Sequence, residues 1–369
     1  MQVTAAVVRE PEGAFQLETL ELDAPRADEV LVKIASTGIC HTDLHARDRY
    51  YPVKLPGVFG HEGGGVVVEV GRAVTKLKPG DHVVLCYPSC GVCAPCEARA
   101  WTYCAESAPL KHGGTRRDGS TVLRSGAEAV HGNFFQQSSF ATHALATERN
   151  AIKVRDDAPL ALLGPFGCGL NTGAGTVLNV LRPRPGASLA VFGAGSVGLA
   201  AVMAARIAGC GAIIAVDLRD NRLALAQALG ATHVVNAASE DPVARIRAIT
   251  GGGTGAGVEA AIEASAVPAA LRQAVDSLAP RGTCCLVGSA RPGTAAPIDM
   301  TALQQGRILR GVIQGDSEPD RFIPALVDRF MDGSFPMDRL VTFYEFADIN
   351  RAAADAVAGT AIKPVLRMP

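Results

Sequence analysis

LAVFGAGSVGLAAVMAARIAG, running from Leu189 to Gly209, decides the fold. It opens as a short apolar strand, breaks at Gly193, Gly195 and Gly198 in G-x-G-x-x-G spacing, and continues as a helical run of small and aliphatic residues. In a chain with 40 glycines that spacing can arise by chance, so its context carries the argument. The next apolar stretch, AIIAVD, ends at Asp217, about twenty residues on, where an acidic side chain accepts hydrogen bonds from an adenosine ribose. The glycines permit a tight turn and close backbone approach, and the helix amino terminus offers free N–H groups to a pyrophosphate. A carboxylate at 217 also repels the extra phosphate of NADP, so NAD is the expected cofactor.

Outward from this motif, strand and helix patterns alternate from about Gly169 to Gly311, in AIIAVD, RLALAQALG, HVVN, VARIRAIT, VEAAIEA, ALRQAVDSLA and GTCCLVGS. Such alternation predicts a parallel sheet covered by helices. Before it, AAVV, EVLVKIA, GGGVVVEVG, DHVVLCY and SFATHAL read as short strands separated by Gly and Pro turns, a barrel-like β domain. After it come two helical patterns, DRFIPALVDRFMDG and INRAAADAVAG, and the strand-like IKPVLRM, which are expected to return to the first domain. The expected organisation is therefore 1–168, 169–313 and 314–369, with a cysteine lobe at about 86–110.

At 369 residues the chain exceeds what one core usually holds, which agrees with two domains and a catalytic cleft between them. Lysine plus arginine number 35 against 36 acidic residues, a balance that offers no footprint for nucleic acid or an anionic membrane and points to small-molecule partners. Pro185 to Ala205 carries no charge and is long enough to cross a bilayer, but glycines 186, 193, 195 and 198 punctuate it as a buried strand, turn and helix. The start, MQVTAAVVREPEG, lacks the basic and apolar regions of a signal peptide, and a cytoplasmic location is expected.

Four of the ten cysteines are bunched in CGVCAPCEARAWTYC, as Cys90, Cys93, Cys96 and Cys104. The spacing C-x2-C-x2-C-x7-C can close four thiolates around one tetrahedral ion. An iron–sulfur site of the bacterial ferredoxin type shares the opening but places its fourth cysteine after three residues and before proline; here Cys104 follows after seven and precedes alanine. A zinc-ribbon DNA module is disfavoured because Arg99, offset by Glu97, is the segment's sole basic residue. Four thiolates leave no open position, so this zinc is expected to be structural.

GICHTDLH, from Gly38, supplies Cys40, His41, Thr42, Asp43 and His45; GHEGGG, from Gly60, supplies His61 and Glu62; and Cys168 lies in GPFGCGLNTGAG, just before the alternating region. Two thiolates and an imidazole with a fourth position open form the ligand set of a catalytic zinc. These segments hold more candidates than that set needs.

Taken together, GICHTDLH, PGVFGHEG, QSSFATHAL, LLGPFGCGLNTGAG and VFGAGSVGL resemble the medium-chain zinc alcohol dehydrogenases, in which a GroES-like β domain joins a Rossmann domain. Within that family the chain is most similar to the bacterial aryl-alcohol (benzyl-alcohol) dehydrogenases, and the match runs end to end. The resemblance implies an α/β protein holding NAD and two zinc ions. It implies that Cys40, His61 and Cys168 bind the catalytic zinc, with Glu62 as an occasional fourth ligand, and that Cys90, Cys93, Cys96 and Cys104 bind the structural one. Asp43 then orients the ligand histidine. His41, Gly193, Gly195, Val197, Gly198, Asp217, Arg222 and Arg367 match cofactor contacts; a histidine at 41, often arginine in the family, is charged only part of the time near neutral pH. Thr42 and His45 match a relay for the alcohol proton.

The implied reaction is reversible oxidation of a primary aromatic or allylic alcohol to its aldehyde, the zinc acting as Lewis acid. Tyr50 and Tyr51, between His45 and the GHE motif, are expected to border the substrate channel. A glutathione-dependent formaldehyde dehydrogenase is the nearest alternative, but it calls for acidic residues before GHE, and DRYYPVKLPGVFGHE carries only Asp48 there. A catalytically silent zinc- and nucleotide-binding protein is a remoter one, set against Cys40, Thr42, His45, His61 and Cys168 all being present. A homo-oligomer, dimer or tetramer, is also expected.

Overall fold

The structure, a computed structural model, describes residues 1–253 and 255–369. The chain forms two compact units: Met1–Cys168 with Glu318–Met331 and Asp338–Pro369, and Gly169–Ser317 with Asp332–Met337.

The second unit is built on a six-stranded parallel sheet in the order His233–Asn236, Ala212–Asp217, Ser188–Phe192, Val258–Glu263, Leu278–Leu286, Ile308–Gly311. This is the doubly wound order of a Rossmann domain. Its central strands are apolar on both faces, as burial under helices on each side requires, and Phe192, Ile214, Val235, Ile246, Ala261 and Leu278 share one core. The uncharged run around Gly193 resolves into the strand Ser188–Phe192 and the helix Ser196–Ile207. Gly193 turns the chain at φ +95°, and a Cβ on Gly198 would lie 1.8 Å from the Gly193 carbonyl oxygen, so only glycine lets helix and turn approach this closely.

This unit keeps the chain to Ser317, four residues past the boundary expected from sequence, and takes back Asp332–Met337. Local hydrogen bonds give the reason. Asn171 Nδ2 donates to the Gln314 carbonyl at 3.2 Å, and Asn179 Nδ2 donates to the Gly315 carbonyl at 3.0 Å, tying 314–317 to the helix that opens the unit.

The first unit holds two sheets. One is antiparallel, in the order Gly57–Val58, Gln2–Val8, Gln16–Leu22, Leu123–Ser125, Glu128–Val130. The other runs Ala151–Lys153, His82–Leu85, Gly63–Val70, Glu29–Gly38, Lys363–Arg367, Val341–Glu345, with His143–Thr147 also paired to Glu29–Gly38. The IKPVLRM segment lies in this sheet: Lys363–Arg367 pairs antiparallel with Glu29–Gly38, Val365 facing Gly38. Val30, Val32, Ile34, Val67, Val83 and Leu85 fill the space beneath this sheet. The pairing matters for chemistry because Cys40 leaves the end of one strand and Lys363 opens the other.

Candidate active site

Cys40 is the extended residue capping the helix His41–Arg47. Asp43, in its first turn and fully buried, accepts from the Cys40 N–H at 3.0 Å through one carboxylate oxygen. Its other oxygen takes the Gly60 N–H at 3.1 Å and lies 2.7 Å from His61 Nδ1. One carboxylate therefore fixes two segments of chain and one ring. Gln137, also buried, holds His61 from the far side, donating to the His61 and Cys86 carbonyls and accepting from the Gly63 N–H.

The ligand atoms of Cys40, His61, Glu62 and Cys168 all lie within 4.8 Å of one another. His61 Nε2 is buried and has no hydrogen-bond partner. An orphaned nitrogen there, with Nδ1 committed to a carboxylate, is the arrangement of a metal-ligating histidine. The hydrogen bond from Cys168 holds the Cys40 thiol well down, and that bond to Cys40, then burial, pushes Cys168 up. Burial presses His61 downward, but the Asp43 charge and hydrogen bond prevail and lift it to about 10. A divalent ion would displace these protons, so the residues fit a zinc ion.

Glu62 shows what the sequence reading missed. Both of its oxygens lie 2.9 Å from Lys363 Nζ, whose third contact is the Ile39 carbonyl at 3.3 Å, and both side chains are buried. Burial raises the Glu62 carboxyl although the Lys363 charge opposes it; the ammonium, which burial would lower, is raised by the Glu62 charge. Lys363 stays protonated. The available signal was a lysine opening the otherwise apolar run KPVL, all four of whose residues are buried.

The second cluster comprises Cys90, Cys93, Cys96 and Cys104. The Cys90–Cys96 and Cys93–Cys104 sulfurs are each 3.9 Å apart, near the ~3.8 Å edge of a tetrahedron with metal–sulfur bonds of about 2.3 Å. Backbone N–H groups of Val92, Cys93 and Ala105 point at these sulfurs, and the Val92 bond leads in holding Cys90 at about 6. The donors fit a zinc ion in a closed thiolate site. Among the described residues no cysteine is in a disulfide.

In the second unit, Asp217 ends the strand Ala212–Asp217. Its carboxylate accepts from the Ala194 N–H, inside the glycine turn, at 2.7 Å and from the Leu218 and Arg219 N–H groups at 2.8 and 3.1 Å. Arg222 Nη1 lies 3.8 Å from it. Gly193, Gly195, Val197, Gly198, Asp217 and Arg222 thus converge on one end of the sheet. His41 and Arg367 belong to the first unit; His41 is exposed, and the Arg367 guanidinium covers the Phe343 ring at 3.9 Å.

Thr42 Oγ1 is 3.7 Å from Cys40 Sγ, and His45 stacks on Tyr50 with centroids 4.6 Å apart. Tyr51 stacks on His112 at 4.5 Å, and Phe135 stacks on His61 at 4.5 Å. Phe134 and Phe135 touch both His61 and His112. Phe135 is held at φ 52°, a conformation side chains rarely adopt. Of these rings Phe134, Phe135 and His112 are the ones that the sequence alone does not single out.

Comparison with known proteins agrees with this geometry. Residues 26–156 match the alcohol dehydrogenase GroES-like domain and residues 196–330 the zinc-binding dehydrogenase domain. Geraniol dehydrogenase of Castellaniella defragrans is 45% identical over 365 residues, covering 98% of this chain and 96% of the relative. The crystal structure of benzyl alcohol dehydrogenase from Acinetobacter calcoaceticus superposes with a TM-score of 0.96 at 44% identity, covering 100% of both chains. That of an alcohol dehydrogenase zinc-binding domain protein from Burkholderia ambifaria gives 0.97 at 53%, covering 100% of this chain and 99% of the other. With two buried donor sets and a Rossmann sheet accounted for, the chain belongs to the zinc-binding medium-chain alcohol dehydrogenases.

Proposed function

We propose that the protein oxidises primary aromatic or allylic alcohols to aldehydes, reversibly, with NAD as hydride acceptor. The observation that carries this reading is the donor set Cys40, His61 and Cys168 set against a wall of rings, Phe134, Phe135, Tyr51 and His112. Bound there, zinc supplies a Lewis acid for the alcohol oxygen and NAD the hydride acceptor.

The chain's own residues do the rest. Asp43 fixes the His61 ring and its tautomer. Lys363 draws the Glu62 carboxylate toward itself, so Glu62 is a reserve donor rather than a permanent ligand. Thr42 Oγ1 takes up the alcohol proton as it hands on its own, and His45, three residues on in the same helix, is the group that finally accepts a proton from the relay. Burial, then the neighbouring His41, lowers the His45 pKa, which keeps its ring neutral and able to accept a proton near pH 7.

NAD rather than NADP is supported by Asp217, which the glycine turn and two further N–H groups hold rigidly. Asp217→Gly is expected to relax the preference; an unchanged ratio would mean that another residue reads the ribose. A cytoplasmic location is supported by the absence of disulfides among the described cysteines. Assembly with a second copy is supported by the outermost strand Ile308–Gly311, exposed along its whole length and carrying Ile308 and Leu309. An apolar edge strand is a template for pairing, and a monomer mass by light scattering would refute it.

The central test is kcat/KM for benzyl alcohol, geraniol and ethanol with NAD. Each methylene-sized group sheltered is worth about 0.8 kcal/mol, so a ring contributes roughly 3 kcal/mol, or about a hundredfold over ethanol. Equal values for ethanol and benzyl alcohol would remove the aromatic preference and leave the dehydrogenase class intact.

A further inference from the structure

The helix Ser107–His112 ends with Lys111, which no part of the mechanism uses, and His112, whose ring lines the aromatic wall but whose nitrogens have no role in it. Lys111 Nζ lies 5.7 Å from the centroid of Phe135, the ring stacked on His61. Burial pulls its pKa down, and the Cys168 and Cys104 sulfurs pull it back up, which places the ammonium within electrostatic reach of both cysteine clusters. Among the described residues no carboxylate is within ion-pairing distance of it. His112 is packed between Tyr51 and the two phenylalanines, and its Nδ1 is buried without a hydrogen-bond partner. Burial first, then the Lys111 charge and His61, hold its pKa at about 4, so the imidazole is neutral in ordinary buffers.

A partly buried cation and an orphaned ring nitrogen therefore stand side by side, one ring away from a zinc-ligand candidate. Native proteins seldom leave such groups unpaired unless a ligand completes them. We infer that Lys111 and His112 form the polar end of the substrate site and select alcohols whose ring or chain carries a hydrogen-bond-accepting oxygen, a carboxylate above all. The inference rests on the aryl-alcohol reading of the same site. An unsubstituted ring leaves both groups without a partner, whereas an oxygen on the substrate pairs with them, and sites built in this way discriminate strongly against analogues that lack the group.

The test compares 3- and 4-(hydroxymethyl)benzoate with 3- and 4-methylbenzyl alcohol, which match them closely in size, with NAD. It uses the zinc-loaded wild type, Lys111→Met, Lys111→Arg and His112→Phe. The carboxylate-to-methyl ratio of kcat/KM at the better ring position should fall about tenfold in Lys111→Met, the loss of one charge-assisted hydrogen bond. It should be partly kept in Lys111→Arg and reduced in His112→Phe, with zinc content by elemental analysis unchanged throughout. The same ratio in wild type and Lys111→Met would overturn the inference while leaving the aryl-alcohol reading standing. Loss of zinc in Lys111→Met would overturn it too, by showing that the ammonium serves the thiolates. If the wild type turned over none of the benzylic alcohols, both readings would fall together.

Discussion

Asp43 accepts from two backbone N–H groups and meets an imidazole with a single buried carboxylate, so its charge, more than its shape, sets the basicity of His61. Asp43→Asn keeps the size and loses the charge. It should lower zinc affinity or turnover roughly 10- to 100-fold, measured by zinc competition with a chelator and by kcat; unchanged values would show that position alone suffices. His112 gives a second residue-scale outcome. Its folded pKa of about 4 lies below the ordinary 6.5, so as pH falls through that window the unfolded chain takes up a proton that the folded one refuses. The His112 contribution is intact above pH 6.5 and is lost progressively toward 4. Denaturant titrations across this range should show a shallower loss for His112→Phe than for wild type, and parallel curves would contradict the assignment.

At the scale of elements, the cysteine lobe and the glycine turn were both legible because each packs its chemistry into a short stretch of chain. The spacing of Cys90 to Cys104 alone predicts a closed site, and the sulfurs do meet within 4.8 Å. Metal binding at such a site is coupled to folding. Cys93→Ser should therefore lower the thermal midpoint and zinc content together, while Cys40→Ser should abolish turnover with the midpoint little changed. If Cys93→Ser melted like wild type, the lobe would not be a structural clamp. What remained illegible depends on long-range contacts. Phe134 and Phe135 look like ordinary core residues in HGNFFQQ until the backbone turns back at Asn133, φ 59°, and Phe135, φ 52°, and lays the Phe135 ring on His61. Lys111 and His112 sit at the end of a six-residue helix that no periodicity announces. The boundary near 314 slipped because Asn171 and Asn179 reach across more than a hundred residues to hold it.

At the scale of the whole molecule, the Lys363–Glu62 pair ties the returning strand to the ligand-bearing segment. Removing one partner of a buried pair leaves an uncompensated charge, so Lys363→Met should cost about 3–5 kcal/mol, and Glu62→Gln with Lys363→Met should recover much of that. Denaturant unfolding of the zinc-loaded protein measures both; a single variant as stable as wild type would show that Glu62 finds another partner.

The same pair sets a timetable for biosynthesis. Glu62 and Lys363 are 301 residues apart in the chain. At about 5–20 residues per second, a ribosome needs roughly 15–60 s to deliver the lysine after the glutamate. The parallel sheet of the second unit is drawn entirely from residues in between, so it can assemble on the nascent chain first. Throughout that interval Cys40 and His61 are synthesised but the strand that flanks them is not. The segments that carry Cys40 and His61 therefore gain their flanking strand, and Glu62 its ammonium partner, only when the chain is nearly complete.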